Sequence, residues 1–111
     1  AEALVRLTGS AQVVALRSPA DREAASLAEK AKQAAQHGDF RSAMALLDQA
    51  ERASPTLVVV HQYRSNVAYL TGDLPRAVTA LERALELEPD NALFRANLDT
   101  LRRQQAGRKG W

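Results

Sequence analysis

Cysteine is absent from this 111-residue chain. That removes disulfides, thiolate nucleophiles and cysteine-ligated zinc from the chemistry to be considered. It leaves a cytoplasmic and a periplasmic setting equally open. No apolar run approaches the ~18 residues of a bilayer-crossing helix, so no transmembrane segment is expected, and no signal peptide is visible. The first residue is Ala rather than Met, which fits a processed form or a fragment and leaves a removed leader open. Aromatic residues are scarce at 5%, so the core has to be built mainly from small side chains. Only four prolines are present, and Pro19, Pro55, Pro75 and Pro89 all read as punctuation at or near helix ends.

What remains is a chain with one small domain's worth of residues, 46% apolar and 25% charged, ordinary for a soluble globular protein. A core of this size is limited, so every helix must contribute apolar surface. Alanine is abundant; it is the best helix former and lets helices approach closely. Net charge is +2, but Arg102, Arg103, Arg108 and Lys109 all fall in the last ten residues, which hold no acid. Without those four, 11 basic residues face 13 acidic ones, a net of −2. The high pI is a property of the tail, and the body is not expected to bind nucleic acid.

The strongest internal signal is a segment written twice, 34 residues apart. Gly38-Asp39-Phe40 is followed by Ala43, Leu47, Ala50 and Pro55; Gly72-Asp73-Leu74 is followed by Ala77, Leu81, Ala84 and Pro89. A repeat of this period predicts an all-α helix-turn-helix array of about five helices, and an array predicts a binding surface rather than an active site. Ser18-Pro19-Ala20-Asp21 reads as a helix start, and Gly38 as the stop after His37. Asp39 caps a second helix that runs to about Ala53. A third spans about Thr56 to Thr71. Asp73 caps a fourth that ends near Glu88. A fifth runs from about Asn91 to Gln105, with Phe94, Leu98 and Leu101 on one face. Beyond Gly107 the chain is expected to fray, and residues 106–111 to form a basic flexible tail. Residues 1–17 form an N-terminal arm, helical around Leu4, Val5 and Leu7 or extended around Val13 to Leu16.

No catalytic constellation stands out, so the chain reads as non-enzymatic, with no cofactor or metal. The serines lack a nucleophile-elbow context. His37 fits a helix C-terminus, where the dipole favours its positive form. His61 fits a packed or groove-lining role, and the two histidines share no carboxylate cluster with ligand spacing. Glu82, Glu86 and Asp90 recur at i, i+4, i+8, which reads as a solvated acidic helix face. Trp111 after Gly110 reads as a mobile end.

The Gly-Asp-Phe/Leu turn, the spaced alanines and the ending Leu85-Glu86-Leu87-Glu88-Pro89-Asp90-Asn91 together resemble the tetratricopeptide repeat (TPR) family. The resemblance covers repeats at about 24–57 and 58–91 plus a capping helix at 91–105, within a domain at 18–105. It implies a right-handed superhelical solenoid. The chain departs from the family in its first helices. Leu27 and His61 stand where a large aromatic or leucine is usual, and Lys30 and Arg64 precede the small-residue sites Ala31 and Ser65. Either their stems pack while the charges snorkel, or those faces contact something else. Two repeats are short of the about three needed for independent stability, so extra burial is expected from residues 1–17 folding back or from a second copy of the chain, and Val58-Val59-Val60 supports some such burial.

In the resembling family the first helices of each pair line a groove that holds an extended peptide or a helix. Carried over, the groove positions are Ala28, Lys32, Ala35 and Gln36, then Val59, Gln62, Asn66, Tyr69 and Leu70, then Leu93, Ala96, Thr100 and Arg103. The candidate peptide-binding residues among them are Lys32, Gln36, Val59, Gln62, Asn66, Tyr69, Leu70 and Arg103. Amides suit a peptide backbone, and Tyr69 offers a ring with a polar tip. Members that grip a C-terminal carboxylate use a set of Lys, Asn and Arg; Ala28, Lys32, Tyr63, Leu93 and Asn97 occupy those places, and none carries the expected residue. The resemblance implies an interaction module acting as an adaptor or scaffold for another protein or peptide. The alternatives are a self-assembling unit such as a homodimer and, by analogy of fold with bacterial proteins, part of an envelope-assembly or secretion protein.

Overall fold

The computed structural model describes residues 18–109, and the regular structure there is entirely helical. Five helices follow one another among the described residues: α1 (Pro19–Gln36), α2 (Phe40–Ala53), α3 (Val58–Leu70), α4 (Leu74–Leu87) and α5 (Ala92–Lys109). The arm at 1–17 and Trp111 lie outside the described residues.

The repeated Gly-Asp pair performs two tasks at each turn. Gly38 and Gly72 both adopt φ 81°, the left-handed region where a Cβ is unfavourable. That conformation folds the chain back so that the Asp39 N–H donates to Ala34 O at 2.9 Å and the Gly38 N–H to Ala35 O at 3.0 Å. The second copy repeats this, Asp73 to Ala68 O at 2.9 Å and Gly72 to Tyr69 O at 3.0 Å. This is the Schellman closure of a helix C-terminus. The same aspartates then open the next helix: the Asp39 carboxylate accepts from the Ser42 N–H at 3.1 Å, and Asp73 from the Arg76 N–H at 3.2 Å. One dipeptide therefore ends one helix and starts another, which makes each hairpin tight. Ser18 caps α1 through the Asp21 N–H, and Asn91 caps α5 through the Phe94 N–H.

The four repeated alanines, Ala43, Ala50, Ala77 and Ala84, are fully buried. They form the close contact of α1 with α2 and of α3 with α4. At the facing site of the second pair, Ser65 donates its hydroxyl to Ala77 O at 2.8 Å, so its polar group is satisfied inside the contact.

Two apolar clusters result. One joins the α1–α2 pair to Val59, Val60, Tyr63 and Val67 of α3. The other joins the α4–α5 pair to Val58 and Ala68 of α3. Nine of the 13 residues of α3 are buried, so this helix is the shared spine of both cores. Arg64 keeps its stem within the fold and its guanidinium on the α2 acids, 2.9 Å from Asp48 and 2.9 Å from Glu51. The first of the two expectations for the charged first helices, stem packed and charge outward, is what Arg64 does.

Two boundaries differ from the sequence reading. Helix α3 starts at Val58 rather than Thr56, because Pro55-Thr56 forms the turn. Helix α5 continues past Gln105 to Lys109, so the region from 106 is not wholly an irregular tail. A mid-helix glycine costs only about 1 kcal/mol against alanine, and Gly107 is not among the left-handed glycines. The basic residues also reach back: Arg102 pairs with Glu82 of α4 at 2.7 Å, and Arg108 approaches Gly72 O at 3.5 Å. Positive side chains in a last turn complement the helix dipole as well.

Candidate functional site

Helix α1 packs directly on α3, but α3 and α5 barely touch, although both pack on α4. The gap between α3 and α5 is a cleft of about 310 Å³. Helix α3 contributes Gln62, Ser65, Asn66 and Tyr69, spaced i, i+3, i+4, i+7 on one face. Helix α5 contributes Asn97, Thr100 and Gln104 above an apolar floor that includes Leu81, Phe94 and Leu101. No side chain lining the cleft carries a charge.

Some of the polar groups are already engaged. Ser65 is held by Ala77 O, Thr100 donates to Ala96 O at 3.1 Å, and Asn66 Nδ2 donates to Gln62 O at 2.8 Å. Gln62 differs. The residue is 4% exposed, and its Oε1 is buried without a hydrogen-bond partner. A buried acceptor left unmade is costly, and in a native fold such an atom calls for a reason. Tyr69 stands at the mouth of the cleft, 46% exposed.

Of the candidate peptide-binding residues, the structure brings Gln62, Asn66 and Tyr69 together, with Leu93 and Thr100 opposite. Val59 is 0% exposed inside the first core and offers no surface to a ligand, because α1 covers the N-terminal end of that stripe. Lys32 lies apart, bonded to Glu29 at 2.8 Å with its ammonium 5.9 Å above the Tyr63 ring. The Glu29 hydrogen bond raises the Lys32 pKa above the usual lysine value; burial opposes it, and the Tyr63 oxygen and the Glu29 charge add smaller upward contributions. Gln36 is exposed at the end of α1, Leu70 is exposed beyond the cleft, and Arg103 is ion-paired with Asp99 on the outside of α5. None of these four lines the cleft.

Asn97 and Gln104 line the cleft although the sequence reading did not place them among the peptide-binding residues. Their seven-residue spacing with Thr100 between them was the available signal. At the carboxylate-gripping places, Ala28 and Tyr63 are buried in the core and Lys32 is committed to Glu29.

A second concavity lies beside His61, Arg64, Arg76 and Arg83. Its guanidiniums are neutralised locally: Arg64 by Asp48 and Glu51, Arg76 by Asp73 at 3.4 Å, and Arg83 by Glu86 at 2.9 Å. The His61 Nε2–H donates to Pro55 O at 2.8 Å, and the His37 Nδ1–H to Gln33 O at 2.8 Å. Both histidines hold chain turns in place. Among the described residues no helix is long and apolar enough to cross a membrane.

The two stacked hairpins with a closing helix define a helical-repeat protein. A family model for the tetratricopeptide repeat matches residues 34–98. That match covers more than half of the chain, and the chain belongs to the tetratricopeptide repeat family. Repeats of this family are generally protein–protein interaction modules and are typically non-catalytic. A search of curated proteins returns no match.

Proposed function

We propose that this chain binds a peptide segment of another protein in the α3–α5 cleft and so serves as an adaptor or scaffold. The observation that carries this reading is the meeting of Gln62, Asn66 and Tyr69 with Leu93 and Thr100 across one concave surface. The cleft has the make-up of a recognition site: an apolar floor, a few convergent polar groups and an aromatic ring at its mouth. Asn66→Ala combined with Tyr69→Ala should weaken partner binding at least tenfold while the far-ultraviolet circular dichroism stays that of a folded helical protein. Unchanged affinity in that double variant would remove the cleft from the interaction.

A second reading is a self-assembling unit, favoured by Tyr69 and Leu70, large apolar side chains that are 46% and 60% exposed side by side at the end of α3. Sedimentation of the full chain and of a chain lacking residues 1–17 separates the two. A monomer in both supports peptide binding, and a dimer in the full chain supports assembly. The adaptor's larger setting, in an envelope-assembly or secretion system of a bacterium, rests on analogy of fold alone.

A further inference from the structure

We infer that the N-terminal arm of this chain seats Leu4, Val5 and Leu7 on the Tyr69–Leu70 end of the α3–α5 cleft, as a resident occupant that any partner binding there displaces. Surface polarity and chain length carry this, and it holds or fails apart from the peptide-binding reading.

The arm brings six large apolar side chains, Leu4, Val5, Leu7, Val13, Val14 and Leu16. Apolar surface left in water favours an apolar seat. Neither end of the array offers one. Val60, Tyr63 and Val67 pack α3 onto the first hairpin. The residues 34 positions earlier, on α1, are Ser26, Glu29 and Gln33, and Ser26 and Gln33 are exposed. Ser65 and Ala68 pack α3 onto α4. The residues 34 positions later, on α5, are Asp99 and Arg102, both exposed. Both outer faces are polar, as the closed ends of a helical array are, so the arm has no seat from which to lengthen the array. The exposed large apolar side chains among the described residues are Tyr69 and Leu70, 46% and 60% exposed. They stand at one end of a cleft whose floor includes Leu81, Phe94 and Leu101.

Reach selects the part of the arm that arrives. The Ser54 hydroxyl donates to the Asp21 carboxylate at 2.6 Å, so the first turn of α1 sits beside the turn that opens α3. Tyr69 lies eleven residues beyond the start of α3, about 17 Å along its axis. With one interhelix spacing of about 9 Å added sideways, the seat is roughly 20 Å from Ser18. Val13 is five residues from Ser18 and Leu7 eleven, spans of at most about 17 Å and about 36 Å. Val13 to Leu16 fall short, whereas Leu7, Val5 and Leu4 arrive with slack. The tether also favours the arm over a second copy, because a joined segment meets its seat at an effective concentration in the millimolar range. A second copy at micromolar concentration needs a contact about a thousandfold stronger for the same occupancy.

The test uses the full 111-residue chain, which has no native cysteine, with a nitroxide on a single cysteine introduced as Thr8→Cys. Paramagnetic broadening of backbone amides falls steeply with distance and so ranks the possible seats. Broadening at Tyr69, Leu70 and Gln104 should exceed that at Ser26, Gln33 and Asp48 by about tenfold or more. Adding Leu4→Ser and Leu7→Ser to the same labelled chain should abolish the preference while the far-ultraviolet circular dichroism stays unchanged. Strongest broadening at Ser26 and Gln33 would mean that the arm extends the array, and uniformly weak broadening that it has no seat; either overturns the inference. So would cleft broadening in a mixture of nitrogen-15 chains without nitroxide and nitroxide-bearing chains without nitrogen-15, since the occupant is then a second copy. None of these outcomes decides the peptide-binding reading, which falls instead on unchanged affinity when Asn66→Ala is combined with Tyr69→Ala.

Discussion

Replacing Gly72 by Ala isolates the energetics of the repeated turn. The φ of Gly72 is 81°, and a Cβ built there would meet nothing within 4 Å. The substitution therefore adds no clash, and its whole effect is backbone conformation. An L-residue in the left-handed region loses about 1–2 kcal/mol. Restricting the unfolded chain returns about 0.4–1 kcal/mol. The net is a destabilisation of about 1 kcal/mol, or a melting temperature lower by about 4–8 °C for a domain of this size. Gly38 has the same φ of 81° and the same open surroundings, so Gly38→Ala should have an equal effect. Two sites that share no partner should also add in the double variant. Gly72→Asn should lose less, because Asn enters this region more readily. Urea unfolding of the three single variants and the double measures all of this. A neutral Gly72→Ala would refute the Schellman account of the turn. A loss of several kcal/mol at one glycine and none at the other would refute the equivalence of the two repeats.

Ala77→Leu should destabilise by about 1–3 kcal/mol, because Ala77 is 0% exposed and its carbonyl already accepts from Ser65; denaturant titration of the variant checks it. The Asp39 carboxyl should titrate below the ordinary aspartate value, since the Ser42 hydroxyl and then the Ser42 N–H stabilise its charged form. A lowered folded pKa adds stability above the unfolded value of about 3.9, and that contribution is lost as pH falls through the folded value. The gap between wild type and Asp39→Ala should therefore narrow on acidification, and carbon-13 NMR of the carboxyl follows the titration directly. A chaperone-type tail peptide with a free C-terminal carboxylate should show no saturation in the low-micromolar range by calorimetry, because Ala28 and Tyr63 are buried and Lys32 is held by Glu29.

The turns were legible because glycine and aspartate act locally. A left-handed residue and a capping carboxylate need only their immediate neighbours, so Gly38-Asp39 and Gly72-Asp73 announce the hairpins and the alanines that pack within them. The cleft was legible only in part. Val59, Gln62, Asn66 and Tyr69 share one helical stripe, and periodicity alone treats them alike. Their fates diverge because α1 closes over the Val59 end while α5 stands off from the Tyr69 end, and that depends on how the hairpins stack. Gly107 misled for a related reason. A glycine after an apolar stripe usually marks a stop, but Arg102 and Arg108 tie α5 back to Glu82 and to the Gly72 turn. Those contacts span 20 and 36 residues, beyond the reach of local pattern.

Helix α3 makes binding and stability one problem. It gives Tyr63 and Val67 to the first core, Val58 and Ala68 to the second, and Gln62, Asn66 and Tyr69 to the cleft. Unfolding the first hairpin would strip one side of the helix that forms the cleft wall, and unfolding the second would remove that helix itself. A ligand held at the cleft should therefore stabilise the first hairpin as well as the second, although it touches only the second pair and α5. At a free concentration one hundred times its Kd, a ligand adds about 2.7 kcal/mol to global stability. Native-state hydrogen exchange resolves where that increment falls. Amides at Ala43 to Ala50 in α2 should gain the same protection as amides at Phe94 to Leu101 in α5. Increased protection confined to α3, α4 and α5 would mean that the two cores open independently, and that α3 is not a spine but the edge of a smaller folding unit.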